Sequence, residues 1–359
     1  MAEVIREAAE KIYADELKAL IENEQNEIPA GWQMSPRSVL TYICGGKAGS
    51  KDIQPKFIGH KRLVEIAIAT LLTDRSLLLV GEPGTAKSWL SEHLSAAISG
   101  DSKLIVQGTA GTTEEHIRYS WNYAMLIANG PSRDALVQSP LYKAMEKGGL
   151  LRFEEITRCA PEIQDALISI LSEKNMAIPE LGEEVSATKG FAVIATANTR
   201  DKGVNEMSAA LKRRFNVVSL PPPADLKTEM SIVQQRLKES SQELALTAKM
   251  PSDRDVARVL TVFRELRAGI TADGKSKLKT PSGIMSTAEA ISLLTGAMAM
   301  AGSFGNGEIS GEYLANGLHG VIVKDENKDR SVWEEYLEQV MKKRGSDWRP
   351  IYEASRQLL

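Results

Sequence analysis

A five-stranded parallel α/β sheet flanked by helices, followed by an all-helical C-terminal region, is the architecture this sequence predicts. Three observations carry it. Between Ile58 and Leu220, short apolar runs bounded by Gly, Pro or polar residues alternate with helical patterns, the texture of βαβ units and a parallel sheet. A triple proline, Pro221-Pro222-Pro223, closes that stretch. Beyond it, amphipathic patterns of helical period replace the strand texture.

Taken in chain order, the first element is helical. Ile5, Ala8/Ala9, Ile12/Tyr13, Leu17 and Leu20/Ile21 recur at i, i+3, i+4, i+7 spacing, which predicts one amphipathic helix. Residues 1–30 hold eight acids against three bases, so its polar face is acidic, a solvated face or a docking surface. A loop is expected over Gly45–Ser50, and residues 1–53 form an N-terminal helical segment. The strands follow at Leu77–Val80, Leu104–Val106, Leu150–Phe153, Phe191–Ala195 and Val217–Leu220. They lie in an α/β domain of residues 54–223. Helices over Met230–Leu237, Val256–Leu266 and Ala288–Met298, with loops at Thr271–Gly283 and Gly302–Gly311, make residues 224–359 a helical domain. Two domains suit a chain of 359 residues, because one core stops growing near roughly 250–300 residues.

Composition excludes several classes. The 44 Lys+Arg against 47 Asp+Glu give a net charge of -3, the wrong balance for a nucleic-acid coat or a polybasic membrane binder. No window approaches the length of an apolar span, and the opening MAEVIREAAEKIYADE is acidic and helical, so neither a membrane segment nor a signal peptide is expected. Cys44 and Cys159 read as two unlinked thiols in a reducing cytoplasm. His60, His93, His116 and His319 show no metal-ligand spacing.

The first chemical motif is Gly81-Glu82-Pro83-Gly84-Thr85-Ala86-Lys87-Ser88, which follows an apolar strand and precedes the helical run Trp89–Ile98. That context is what a phosphate loop requires. Small residues let the loop turn its backbone N–H groups inward, so that Glu82, Pro83, Gly84, Thr85, Ala86, Lys87 and Ser88 line the phosphates, and the helix directs its positive end to the same place. Lys87 would neutralise the β and γ phosphates, and the Ser88 hydroxyl would ligate Mg²⁺. Ala86 replaces the glycine of the plain pattern, a change of one methyl group.

The second motif, Gly149-Leu150-Leu151-Arg152-Phe153-Glu154-Glu155, is a strand run ending in two carboxylates. Alone, such a pair reads as solvated acids at a strand end. About 65 residues after a phosphate loop, it reads as Glu154 holding Mg²⁺ through water and Glu155 polarising the attacking water. Two departures stand out: Glu154 is one methylene longer than the usual Asp, and Arg152 interrupts the apolar run.

These motifs resemble those of an AAA+ ATPase, and within that group of the MoxR family. Glu155-Ile156-Thr157-Arg158-Cys159-Ala160-Pro161 with Gln164 and Ala166-Leu167 is similar to that family's stretch after the second carboxylate. Ile194-Ala195-Thr196-Ala197-Asn198 resembles its fourth strand, whose asparagine orients the water. Ala209-Ala210-Leu211-Lys212-Arg213-Arg214-Phe215 resembles the segment that sends an arginine into a neighbouring subunit's ATP; Arg214 is the first candidate for that finger and Arg213 the second. Phe57-Ile58-Gly59-His60 resembles the turn against adenine, which makes Gly59 and His60 nucleotide contacts. The match covers roughly residues 54–225. It implies an AAA+ P-loop NTPase core with a C-terminal helical lid and two insertions facing a central pore, near Ile117–Ser139 and Met176–Lys189. Trp121, Tyr123 and Met125 either grip a client there or pack in the core. The arginine with which many relatives begin the lid helix is absent from Pro281–Ala288.

The resemblance implies an ATP-hydrolysing chaperone in a hexameric ring, remodelling, maturing or inserting a cofactor into a client with a von Willebrand factor A domain partner. Two other readings stay open. One is a nucleic-acid-translocating AAA+ motor, opposed by the acidic balance; the other is a nucleotide-gated scaffold with little hydrolysis, suggested by Glu154 and the missing lid arginine.

Overall fold

Period-two alternation builds the first layer of the structure, a computed structural model that describes residues 4–198 and 205–359. The strands are β1 (Ser76–Gly81), β2 (Ile105–Gln107), β3 (Leu150–Glu154), β4 (Ala192–Asn198) and β5 (Phe215–Ser219). All pairs are parallel, in the order β5-β1-β4-β3-β2. Alternate residues leave opposite faces of a strand. Leu77, Leu79, Leu150 and Ile194 therefore join one cluster with Tyr42, Leu90 and Leu94, while Leu78, Leu151, Phe153 and Val193 join another with Leu141, Met145 and Leu167. Burying each large aliphatic side chain stabilises the fold by about 1.5–3 kcal/mol. The register sets Asn198 beside Gly81 and Gln107 beside Glu154. One edge of the sheet thus gathers the strand C-termini, where open α/β sheets bind ligands.

The chain's opening departs from the single helix expected. Two helices, Ala9–Ile12 and Ala14–Glu22, meet at Tyr13. Ile5 lies outside both at 91% exposure, and Ile12 and Ile21 also face solvent, whereas Leu17 and Leu20 are buried. Tyr13 is committed elsewhere. Its ring meets the His93 ring edge-on at 5.2 Å and lies under the Lys56 ammonium at 4.3 Å, so the chain turns at Tyr13 to keep these contacts. The loop expected over Gly45–Ser50 is a hairpin, Gly46–Ala48 pairing with Lys51–Ile53. This N-terminal stretch has no core of its own. Leu17, Trp32, Met34, Val39 and Ile43 share the cluster of the sheet.

Two excursions interrupt the helical layers. Tyr119–Trp121 pairs antiparallel with Leu136–Gln138 and carries the helix Tyr123–Asn129 between them; Asn175–Ile178 pairs with Glu183–Ser186. The Trp121, Tyr123, Met125 alternation divides. Trp121 packs edge-on against Tyr119 at 5.9 Å, Met125 is half-buried, and Tyr123 is exposed. Ile127, one turn on, is 86% exposed.

The chain divides into two compact units, residues 1–82 with 86–221, and residues 222–359 with Pro83–Thr85. The second is helical: Leu226–Glu243, Asp253–Ala268, Thr287–Phe304, Gly311–Ile322, Glu326–Gln339 and Arg349–Gln357. Helix Thr287–Phe304 runs through Gly302, where a loop was expected. Hydroxyl and carboxylate caps start the first five of these helices, Ser286 reciprocally with Glu289, each such cap contributing about 1 kcal/mol. Phe263, Leu294, Leu318 and Trp333 centre its core. Its buried acids are all partnered: Glu229 by Arg264 at 2.9 Å and Thr287 at 2.7 Å, and Asp329 by the Ser282 hydroxyl at 2.6 Å and three backbone N–H groups. Among the described residues, no helix is long and apolar enough to cross a membrane.

One carboxylate ties the N-terminal helices together. Glu24, just past helix Ala14–Glu22, accepts from the N–H of Ser35 at 2.8 Å and of Asn26 at 2.9 Å. Burial opposes its charge, but the N–H groups of Ser35 and Asn26 and the Ser38 and Ser35 hydroxyls outweigh burial and hold its pKa at about 2, below the ordinary 4.5. A depressed carboxylate contributes stability above its unfolded value and loses it as pH falls through its folded value. Glu24→Gln is therefore expected to lower the melting temperature at pH 7, with the gap to wild type closing between pH 4.5 and about 2; a gap that ignores pH would show that the charge is not what matters.

Candidate functional site

Strand β1 runs directly into the phosphate loop, and two backbone positions there leave the ordinary regions. Gly84 has φ +80 and Ala86 φ +63. Alternating right- and left-handed residues turn successive N–H groups into a concave anion cradle. At its end begins the helix Lys87–Ser99, whose first-turn N–H groups and dipole favour a phosphate. Lys87 is buried, its Nζ 3.0 Å from the Gly81 carbonyl and 2.8 Å from that of Glu82. The loop thus holds its own cation over the cradle. The methyl group of Ala86 is accommodated, at the strain that any L side chain meets in the left-handed region.

The strand-end acids separate sharply. Glu154 is 2% exposed and accepts four hydrogen bonds: on Oε2 from Ser88 Oγ at 2.6 Å and Thr196 Oγ1 at 2.7 Å, and on Oε1 from Ser91 Oγ at 2.6 Å and Arg152 Nη2 at 3.0 Å. Ser88, on the exposed first turn of its helix, and Glu154 are therefore adjacent oxygen donors beside the cradle. That fits Mg²⁺, a hard cation held by one or two protein oxygens together with phosphates. Glu155 turns the other way. Its own φ is +53, which swings its side chain off the strand, where it forms an ion pair with Arg158 and is about one-third exposed. Its N–H donates to Thr196 Oγ1 at 2.9 Å.

The remaining residues of interest fall at three places. Asn198 closes β4 beside Gly81. Gly59 and His60 precede the helix Lys61–Leu71, and any side chain at Gly59 would meet the Phe57 ring at 2.6 Å. Arg213 and Arg214 follow the short helix Ala209–Lys212. Arg214 donates from Nε to Ser172 Oγ at 2.8 Å and from Nη1 to the Ala210 carbonyl at 2.6 Å. Arg213 is exposed, and its carbonyl accepts from Arg75 at 3.1 Å.

Sequence reading named neither Ser91 nor Thr196 as a site residue. A signal for both existed. Ser88 and Ser91 sit three apart, one helical turn on one face, and Thr196 is a polar residue inside an apolar strand two residues before Asn198.

Known proteins place this arrangement in a family. A family model for the AAA domain (dynein-related subfamily) matches residues 76–215, and one for the YehL-like AAA+ ATPase C-terminal domain matches residues 227–358. The chain is 43% identical over 357 residues to the uncharacterized protein YehL of Escherichia coli (strain K12), spanning 98% of this chain and 97% of that one. It belongs to the YehL-like AAA+ ATPases. A more distant relative is the uncharacterized protein YojN of Bacillus subtilis (strain 168), 30% identical over 156 residues, 43% of this chain and 50% of that one. Among solved structures, NtrX from Brucella abortus in complex with ADP superposes with a TM-score of 0.50 at 14% identity, over 81% of this chain and 59% of that chain; the likeness is one of fold. The five-stranded sheet and C-terminal helical region of this YehL-like ATPase are those of its AAA+ relatives.

The strained loop residue gives a measurable consequence. Replacing Ala86, at φ +63, with glycine relieves the left-handed strain and should stabilise this YehL-like protein by about 1 kcal/mol, read as a higher denaturant midpoint. An unchanged or lower midpoint would mean that the methyl group contributes packing that outweighs the strain.

Proposed function

We propose that this YehL-like AAA+ ATPase binds ATP with Mg²⁺ and hydrolyses it in a hexameric ring, to remodel, mature or load a cofactor into a cytoplasmic client, as the MoxR resemblance implies. The observation that carries the reading is convergence: the phosphate loop, the Ser88–Glu154 pair at 2.6 Å, Glu155 and Asn198 all lie along the C-terminal edge of one parallel sheet. Lys87 neutralises phosphate charge, and Ser88 with Glu154 would hold Mg²⁺, which supplies further charge neutralisation when bound. Glu155 polarises the attacking water once it releases Arg158, and Asn198 orients that water. An arginine from the neighbouring subunit completes the site. Arg214 is engaged within its own subunit and Arg213 is exposed, so both are tested as the finger. The helix Tyr123–Asn129, with Tyr123 and Ile127 in solvent, is a suitable client contact, and a von Willebrand factor A domain protein the suggested partner.

A specific observation favours one other reading. Glu154 has all its acceptor positions filled and Glu155 is paired with Arg158, as in a scaffold that binds ATP and scarcely hydrolyses it. Phosphate release decides between them. Wild type should turn ATP over, Lys87→Ala should lose nucleotide binding, and Glu155→Gln should bind ATP but turn it over ~10²- to 10⁴-fold more slowly. Tight ATP binding with only background release in wild type would select the scaffold.

Assembly is tested by mixing. Arg213→Ala or Arg214→Ala, expected to lose ~10³-fold or more if it removes the finger, should regain turnover when mixed with inactive Glu155→Gln. Absence of rescue for both at every ratio would refute an arginine acting across a subunit interface.

A further inference from the structure

We propose that Arg152 is a positioning residue for the metal-side carboxylate: it compensates the charge of Glu154, latches β3 to the phosphate-loop helix, and weakens the site's hold on Mg²⁺ in the absence of phosphate. The proposal deepens the nucleotide-site reading above and rests on it for its metal part. Its starting point is the two departures in the strand-end motif, an arginine inside the apolar run and a glutamate where an aspartate is usual. The geometry makes them one device.

Residues 150, 152 and 154 leave the same face of β3. Leu150 packs in the cluster beneath the phosphate-loop helix, so Arg152 and Glu154 project toward that helix too. Both are buried, with side chains 9% and 3% exposed. Buried ions cost several kcal/mol each unless they are paired and their hydrogen-bonding positions are filled. Here both conditions hold. The guanidinium donates from Nε to Ser91 Oγ at 3.1 Å, from Nη1 to the Ser102 carbonyl at 3.0 Å, and from Nη2 to the Ser88 carbonyl at 3.1 Å and to Glu154 Oε1 at 3.0 Å. Ser91, accepting from Arg152, turns its own proton to Glu154 at 2.6 Å, the nearer of its two acceptors. Two residues of the phosphate-loop helix and the segment leading to β2 are thereby fastened to β3 through one side chain. An apolar residue at position 152 would do none of this, and an aspartate, one methylene shorter, would withdraw from the helix hydroxyls.

The consequence for the metal is electrostatic. A divalent cation beside Ser88 and Glu154 Oε2 must approach a carboxylate already neutralised by a fixed guanidinium on its other oxygen. Cation and guanidinium repel each other, and the burial of Arg152 and Glu154 strengthens that repulsion. Metal held there alone is disfavoured, whereas metal arriving with a polyphosphate brings the missing negative charge. Ser88 and Glu154, now hydrogen-bonded to each other at 2.6 Å, are the residues that would hold it. Arg152 keeps the helix anchored throughout.

Two measurements on the full chain test this. Mg²⁺ binding is titrated with and without a fluorescent ATP analogue in wild type, Arg152→Met, Arg152→Lys and the double variant Arg152→Met with Glu154→Asp, which restores the usual apolar and aspartate combination. The same set, with Glu154→Asp alone, is melted without nucleotide or metal. Arg152→Met should shift the Mg²⁺ midpoint without the analogue down by about tenfold and lower the melting temperature. Arg152→Lys, which keeps the charge but not the fork, should keep the wild-type midpoint and melt lower. The double variant should recover much of the melting temperature lost in Arg152→Met, so that the two substitutions are not additive. Additive melting effects would overturn the latch. Normal analogue binding with an unshifted midpoint in Arg152→Met and in the double variant would overturn the metal part alone. No analogue binding in wild type would instead overturn the nucleotide reading, and the metal part with it, while the melts still decide the latch.

Discussion

Burying Glu154 at the end of β3 commits three elements to one another. A carboxylate with 2% exposure has to fill its acceptor positions from the protein, and the donors come from the phosphate-loop helix, from β4 and from β3 itself. Moving any of them by a hydrogen-bond length leaves a buried lone pair unmet, at a cost of about 1–3 kcal/mol or more for a charged group. The phosphate loop is therefore fixed at both ends: by the register of β1 in the sheet, and by serines on the helix that follows it.

That helix is held on its outer side as well. The N-terminal segment places Tyr42 with its hydroxyl 2.9 Å from His93 Nδ1, the Lys56 carbonyl 2.6 Å from Trp89 Nε1, and Arg6 2.7 Å from Glu92. The three do not weigh equally. Arg6 is 60% exposed, so solvent screens its ion pair to a fraction of a kcal/mol. The Tyr13, Tyr42, Trp89 and His93 rings pack together and contribute through buried aromatic area. Lys56, whose ammonium faces Tyr13 at 4.3 Å and Glu16 at 2.7 Å, joins this aromatic group to the first helices.

What the sequence makes legible follows from the range of the interactions. Strand periodicity is local, so the five strands and the helical texture after Pro223 can be read directly, and so can the phosphate loop, whose small residues, lysine and following helix are contiguous. The break at Tyr13 cannot. It exists because Tyr13 answers to His93 and Lys56, distant in sequence, and the i, i+3, i+4 pattern through Ile5, Ile12 and Ile21 carries no sign of that obligation. Likewise Gly45–Ser50 has loop composition and only its pairing partner at Lys51–Ile53 makes a hairpin of it. At the site, motif reading marks Glu154 and Glu155 as neighbours, but the hydroxyls that surround Glu154 come from positions 88, 91 and 196. Arg152 looked like an interruption because an arginine in an apolar run has no local justification; its partners are on another element.

The two adjacent glutamates carry this further. Side chains at consecutive strand positions would anyway point to opposite faces, and the left-handed backbone at Glu155, φ +53, takes that residue out of the strand altogether. Thr196 stands between them, accepting from the Glu155 N–H at 2.9 Å and donating to Glu154 at 2.7 Å. Glu154 is thus buried and fully hydrogen-bonded, suited to a fixed charge. Glu155, about one-third exposed and paired with a partly exposed arginine, can exchange that partner for a water molecule without leaving a buried charge behind. Two carboxylates of identical chemistry are assigned different work by one residue's backbone angle and one threonine hydroxyl, in the way that differing surroundings separate the roles of paired acids in catalytic sites generally.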